Sequence, residues 1–129
     1  MPGYTVKNIK DAEDVFAGAP ASEVEGRFMR KHLDSRELGV SYFSYGPNYR
    51  SKMGHFHREQ EEAYIVTSGS GRLKLDDEIV ELRQWDVVRV APEVVRAFEG
   101  GSDGLEFIAV GGARPEEGDG VPVADWWTD

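Results

Sequence analysis

The sequence predicts an all-β domain whose antiparallel strands close into a sandwich or barrel. Three observations predict it. Short segments with period-two alternation recur along the chain. Gly, Pro, Asn and Asp punctuate them roughly every 8–12 residues, the rhythm of β-sandwiches and barrels. Only one stretch carries helical spacing: Ala12, Val15 and Phe16 stand at i, i+3 and i+4, with Asp11 as a candidate N-cap and Gly18 as a stop.

A further strand is expected within 23–33. Val40–Tyr45 alternates and is broken by Gly46-Pro47-Asn48. Glu62–Thr67 follows, closed by Ser68-Gly69-Ser70-Gly71, which reads as a hairpin connection. Leu73 and Leu75 alternate with Arg72 and Lys74, Asp76-Asp77 makes a turn, and Glu78–Leu82 continues with Val80 and Leu82 on one face. Trp85–Val90 is a strand ended by Pro92, and Leu105–Val110 is stopped by Gly111-Gly112. Trp85, Phe98 and Phe107 are assigned to core packing. The tail from Arg114 is Pro-, Gly- and acid-rich and is expected to be irregular. Its Trp126 and Trp127 are expected to dock on the domain or on a partner subunit. The expected organisation is an N-terminal extension over 1–37 with a short helix and a strand, a barrel over 38–112, and a C-terminal tail over 113–129.

The 129 residues suffice for one domain. Lys plus Arg number 15 against 24 Asp plus Glu, a formal charge of −9, which disfavours nucleic acid and anionic membrane as partners. No cysteine is present, so disulfides, thiolate metal sites and cysteine nucleophiles are excluded. The N-terminal residues lack a signal-peptide pattern and no apolar run is long enough to span a bilayer, so a cytoplasmic location is expected. The chain has neither a nucleotide-binding Gly-rich loop nor a Gly-x-Ser-x-Gly elbow. Glu116, Glu117 and Asp119 read as a solvated acidic run.

The informative cluster is Gly54-His55-Phe56-His57. In an extended segment both imidazoles project from one face, and a bend over 58–61 would bring Glu62 beside them. Two neutral imidazoles and a carboxylate suit a divalent Fe, Mn, Ni or Zn ion. Taken alone, that spacing is weak, and it favours a pair of surface histidines near a glutamate-rich bend.

The stretch His55-x-His57-x4-Glu62-x6-Gly69 resembles the first conserved motif of the cupin superfamily, and Trp85 to Phe98 aligns with the second. The 15 residues between Gly69 and Trp85 match the short spacing of small single-domain bacterial cupins. The resemblance spans roughly 38–112. It implies a cupin-type antiparallel β-barrel or double-stranded jelly roll, with His55, His57 and Glu62 as metal ligands. Several positions depart from the pattern. Asn48, Trp85 and Glu93 replace glycines, Ala91 replaces a proline and Gly100 an asparagine. Arg96 stands where the third histidine ligand belongs.

Arginine stays protonated and cannot ligate a metal. Two arrangements accommodate it. Arg96 pairs with Glu62 and no metal is bound, or His55, His57 and Glu62 hold an ion while Arg96 clamps an anionic ligand group. Tyr64, on the face of Glu62, either lines the cavity and donates its hydroxyl to a ligand or packs in the core. The expected function is binding of a small, anionic organic molecule at an incomplete divalent-metal site. The alternatives are a metal-dependent enzyme of dioxygenase, isomerase or decarboxylase type and a metal-free structural cupin. No catalytic residue is assigned, and a homodimer is expected.

Overall fold

The computed structural model describes residues 3–20 and 23–129. Eight strands form one curled antiparallel sheet: β1 (Val24–Phe28), β2 (Gly39–Tyr45), β3 (Gly54–His57), β4 (Glu62–Leu75), β5 (Glu78–Arg83), β6 (Val87–Val90), β7 (Arg96–Gly111) and β8 (Gly120–Val123). The long strands β4 and β7 are the spine. The first half of β4 pairs with the last part of β7, Glu62 opposite Gly111, and the second half pairs with its start, Leu75 opposite Arg96. The strand path runs β1-β2-β7-β3-β8, with β5 and β6 attached to β4. β1 and β8 both lie outside 38–112, and both join the sheet.

Side chains alternate across the pleat, so one face of each long strand supplies the interior. Val66, Leu73, Leu105 and Phe107 are almost fully buried there. Aromatic rings link the strands: Phe98 stacks on Phe107 at 4.1 Å, Phe107 on Phe43 at 5.2 Å, and Tyr64 meets Phe98 edge-on at 4.9 Å.

Five local expectations are corrected. No helix forms over 11–18; the helical element is a single 3-10 turn at Ile9–Asp11, capped by the Asn8 side chain. The Asp14 carboxylate instead accepts from the N–H groups of Phe16 and Gly26, which ties this segment to β1 as a turn. Ser68–Gly71 is not a hairpin. β4 runs straight through it with register shifts between Val66 and Ser68 and between Gly69 and Gly71, and the hairpin is at Asp76-Asp77. Trp85 is not in the core: it is 67% exposed, with φ +73° in the turn between β5 and β6 that directs its side chain outward. Asn48, at φ +60°, takes the left-handed conformation that its replacement of a glycine predicts. Finally, the strand placed at Leu105–Val110 begins at Arg96, and the tail is not wholly irregular. It forms β8, and Trp126 and Trp127 dock on the chain's own surface. Trp127 Nε1 donates to the Ser51 carbonyl, Arg50 covers its ring at 4.2 Å, and Lys74 donates to the Trp126 carbonyl.

Candidate functional site

β3 presents His55 and His57 on the same face, with ring centroids 5.1 Å apart. β8 holds one edge of β3, with Gly54 opposite Val123 and His57 opposite Gly120, while His55 stands opposite Arg96 on the other. Glu62 opens β4 after the 58–61 bend. A nitrogen of each histidine and a carboxylate oxygen of Glu62 lie within 4.8 Å of one another. His57 Nε2 is 3.1 Å from Glu62 Oε1, and His55 Nε2 is 3.7 Å from the same oxygen. The sequence motif therefore brings together the three side chains it predicts.

Glu62 Oε1 is also the acceptor for two other groups. The Tyr64 hydroxyl donates to it at 2.6 Å and Arg96 Nη2 at 3.2 Å. Burial pushes the Glu62 carboxyl up, but hydrogen bonding from the two histidines and Tyr64 outweighs this and holds it far below the usual carboxylate range. Burial, with the Glu62 charge beside it, pushes the Tyr64 phenol well up.

Arg96 faces inward and pairs with Glu62, as one of the two arrangements open to it requires. It is fully buried, and four of its five N–H groups have acceptors. Nε donates to the Tyr64 hydroxyl, Nη1 to the carbonyls of Pro92 and Val94, and Nη2 to Glu62. Its work is internal: it neutralises Glu62 and pins the loop between β6 and β7. The Tyr64 hydroxyl is likewise spent, donating to Glu62 and accepting from Arg96, so only its ring lines the cavity.

Asp119, read as part of a solvated acidic run, is the residue that sequence reasoning missed. It is 6% exposed. Its Oδ1 lies 2.8 Å from His57 Nδ1, and its Oδ2 accepts from the backbone N–H groups of Glu59 and Gln60. It fixes the bend before Glu62 and the ring orientation of His57 together. Both nitrogens of His57 thus face carboxylates, and such oxygens only accept, so the metal-free ring carries both protons. Desolvation lowers its proton affinity, but the hydrogen bonds to Glu62 and Asp119 win and raise it above the ordinary imidazole value. The faint signal in the sequence was the Gly118-Asp119-Gly120 triplet, which leads into β8.

A cavity of about 1020 Å³ adjoins this cluster. His55, His57, Glu62 and Tyr64 line it together with the rings of Phe98 and Phe107. Tyr45 also lines it, its phenol pushed up to about 12 by burial.

No protein-family model and no curated protein matches the chain. Solved structures do. A cupin protein from Bacteroides fragilis superposes with a TM-score of 0.72 at 22% identity, over 90% of this chain and 89% of that one. The chain has the cupin fold. The nucleoside dehydratase Pac13, from Streptomyces, matches at TM-score 0.72 and 18% identity over 96% of this chain and 92% of its own. Oxalate decarboxylase of Bacillus subtilis gives TM-score 0.75 at 20% identity over 95% of this chain, which spans 34% of that longer protein.

The donor set fits a divalent ion: two imidazole nitrogens and one carboxylate oxygen converge, and the Asp119 contact at Nδ1 of His57 leaves Nε2 for the ion. Arg96 takes the place of a fourth ligand and adds a positive charge behind Glu62.

Proposed function

We propose that this cupin binds a small organic molecule in its aromatic cavity and that His55, His57 and Glu62 hold one divalent ion on the cavity wall. The observation that carries the reading is the convergence of three donor atoms within 4.8 Å, with Asp119 orienting His57 from behind. Bound there, the ion would act as a Lewis acid toward an oxygen of the ligand. His55, 42% exposed at its side chain, is the ligand-side member, whereas His57 and Glu62 are held from behind. Three protein ligands instead of four, with Arg96 adjacent, make for weak binding and leave positions for the small molecule.

The neighbours of known activity, a nucleoside dehydratase and oxalate decarboxylase, support extending the reading to an enzyme acting on a small organic substrate. A second reading is favoured by one contact, Arg96 Nη2 to Glu62 Oε1 at 3.2 Å. In it, the four side chains form a metal-free ion-pair network and the cavity binds its ligand without an ion.

Metal analysis of freshly purified, untagged protein separates the two. Manganese, iron, nickel and zinc titrations should show one site per chain that His55→Ala and Glu62→Ala each remove. No uptake of any of these ions would leave the metal-free reading. A cytoplasmic homodimer belongs to the same proposal. β1 is the end strand of the sheet path, and its Phe28 is 49% exposed. Light scattering should give twice 14.4 kDa.

A further inference from the structure

Two arginines line the cavity, and neither has a carboxylate within ion-pair distance among the described residues, although acidic groups outnumber basic ones in this protein. Arg30 follows β1, and Arg114 follows β7. Arg30 Nη1 donates to the Glu37 carbonyl and Nη2, at 3.5 Å, to the Gly112 carbonyl. Arg114 Nη1 donates to the carbonyls of Pro115 and Glu116. Each guanidinium has five N–H groups, so three on each have no protein acceptor among the described residues. The two cations also repel one another: burial and the Arg114 charge lower the proton affinity of Arg30 and outweigh the opposing pull of the Asp119 carboxylate, which is already engaged by His57. Two half-buried like charges on one wall are a standing cost that an anion between them would relieve.

The pair belongs to the same wall as the histidines. The Gly112 carbonyl that Arg30 engages also accepts from Gln60 Nε2, and the Gln60 N–H donates to Asp119, which holds His57. Opposite polar groups do not cancel the pair. Glu13 is taken by Lys31 and His32. Asp34 and Glu116 line the cavity but are exposed, where solvent screens them. The remainder of the lining is dominated by rings, among them Phe16, Phe28, Phe43, Phe98 and Phe107.

From this juxtaposition we propose that Arg30 and Arg114 form an anion seat, and that the ligand is a planar, largely apolar organic molecule carrying a carboxylate, sulfonate or phosphate group. The anion lies in the fork of the two guanidiniums, and the flat body stacks on the phenylalanine rings. The seat is separate from Arg96, four of whose five N–H groups are spent on the fold. The proposal rests on the reading of the cavity as a small-molecule site, and it does not need the metal ion.

The test uses two fluorescent probes with the same aromatic body, 1-anilinonaphthalene-8-sulfonate and its uncharged analogue N-phenyl-1-naphthylamine. Both are titrated into the full chain in EDTA and again with manganese. The wild type should bind the sulfonate at least about tenfold more tightly than the neutral probe, in either condition. Arg30→Gln with Arg114→Gln should reduce that ratio to near one, and Lys31→Gln, at the exposed rim, should not. Should the double variant not fold, Arg114→Gln alone should reduce the ratio at least threefold. Equal affinity of the wild type for the two probes would overturn the seat while leaving the cavity reading intact. Failure of both probes to bind would overturn the seat and the cavity reading together. Failure of manganese to bind, with the probe ratio preserved, would remove only the metal.

Discussion

Asp119 Oδ1 lies 2.8 Å from Nδ1 of His57, and the other oxygen of the same carboxylate takes the N–H groups of Glu59 and Gln60. One side chain from the C-terminal segment thus sets both the ring of a candidate ligand and the bend that delivers the next one, Glu62. Asp119→Ala removes both functions. The buried N–H of Gln60 loses its acceptor, at about 1–3 kcal/mol, and the half-buried N–H of Glu59 loses it at a smaller cost. Loss of a partner behind a histidine ligand also weakens metal affinity by about 10–100-fold. A thermal melt in EDTA reads the first effect, and a manganese titration reads the second. A melt that falls with unchanged manganese affinity would mean that Asp119 supports the bend alone.

Arg96 and Glu62 are the next pair to separate. Arg96 is fully buried, and Glu62 is its acidic partner. Arg96→Met leaves that carboxylate without its cation and should cost about 3–5 kcal/mol. Adding Glu62→Gln should recover part of the loss, because the two effects are coupled. Arg96→His distinguishes the readings of the site. If His55, His57 and Glu62 hold an ion, a fourth imidazole should tighten its binding. If the network is metal-free, the variant should melt earlier and take up no ion.

Much of this site is legible in the sequence because its three central residues are close together. His55, His57 and Glu62 lie within eight positions, and a strand, a bend and a strand suffice to assemble them. Asp119 was not legible: it is 62 residues from His57, and only the pairing of β8 with β3 brings it there. Arg96 and its pairing with Glu62 were legible as one of two arrangements, but its two backbone acceptors, the Pro92 and Val94 carbonyls, and its contact with the Tyr64 hydroxyl were not, since they depend on the loop before β7 and on a strand 32 residues away. Strand positions were read well where Pro or Asp-Asp ends them. They failed where glycines interrupt a strand without ending it, because Gly69 and Gly71 signal a bulge as readily as a turn. Trp85 failed for a related reason: a backbone turn of positive φ overrode the side chain's preference for burial.

Those glycines give a third prediction. At Gly69 φ is +78°, and a Cβ would be driven into the carbonyl oxygen of Gly104, which is backbone and cannot step aside. Gly69→Ala therefore combines conformational strain with a clash between the two spine strands. It should destabilise by more than about 1–3 kcal/mol, the range for a strained backbone position alone. Gly18→Ala has positive φ but open space around it, so its cost should be the conformational one alone, about 1–2 kcal/mol. Urea denaturation of the two variants checks the order, and equal midpoints would contradict the tight β4–β7 crossing.

The last prediction is a reversal of pH dependence on adding metal. In the metal-free protein, His57 binds its proton more tightly than a free imidazole because Glu62 and Asp119 face its two nitrogens and outweigh desolvation. A group whose folded pKa is raised contributes its full stabilisation below the unfolded value, here 6.5, and loses it as pH rises through the folded value. Glu62 and Asp119 have the opposite sign. Their lowered values give stability that is present above the ordinary carboxylate range and lost on acidification. In EDTA the stability from these groups should therefore peak between about pH 5 and 6.5 and decline toward pH 8. Metal binding requires the Nε2 position of His57 to be free of its proton, so ion uptake releases a proton and strengthens as pH rises through the His57 value. With saturating manganese the melting temperature should rise, relative to EDTA, from pH 6 to pH 8. His57→Ala should remove both the decline in EDTA and the manganese-dependent rise. A melting temperature with the same pH profile in EDTA and in manganese would place the ion elsewhere or nowhere.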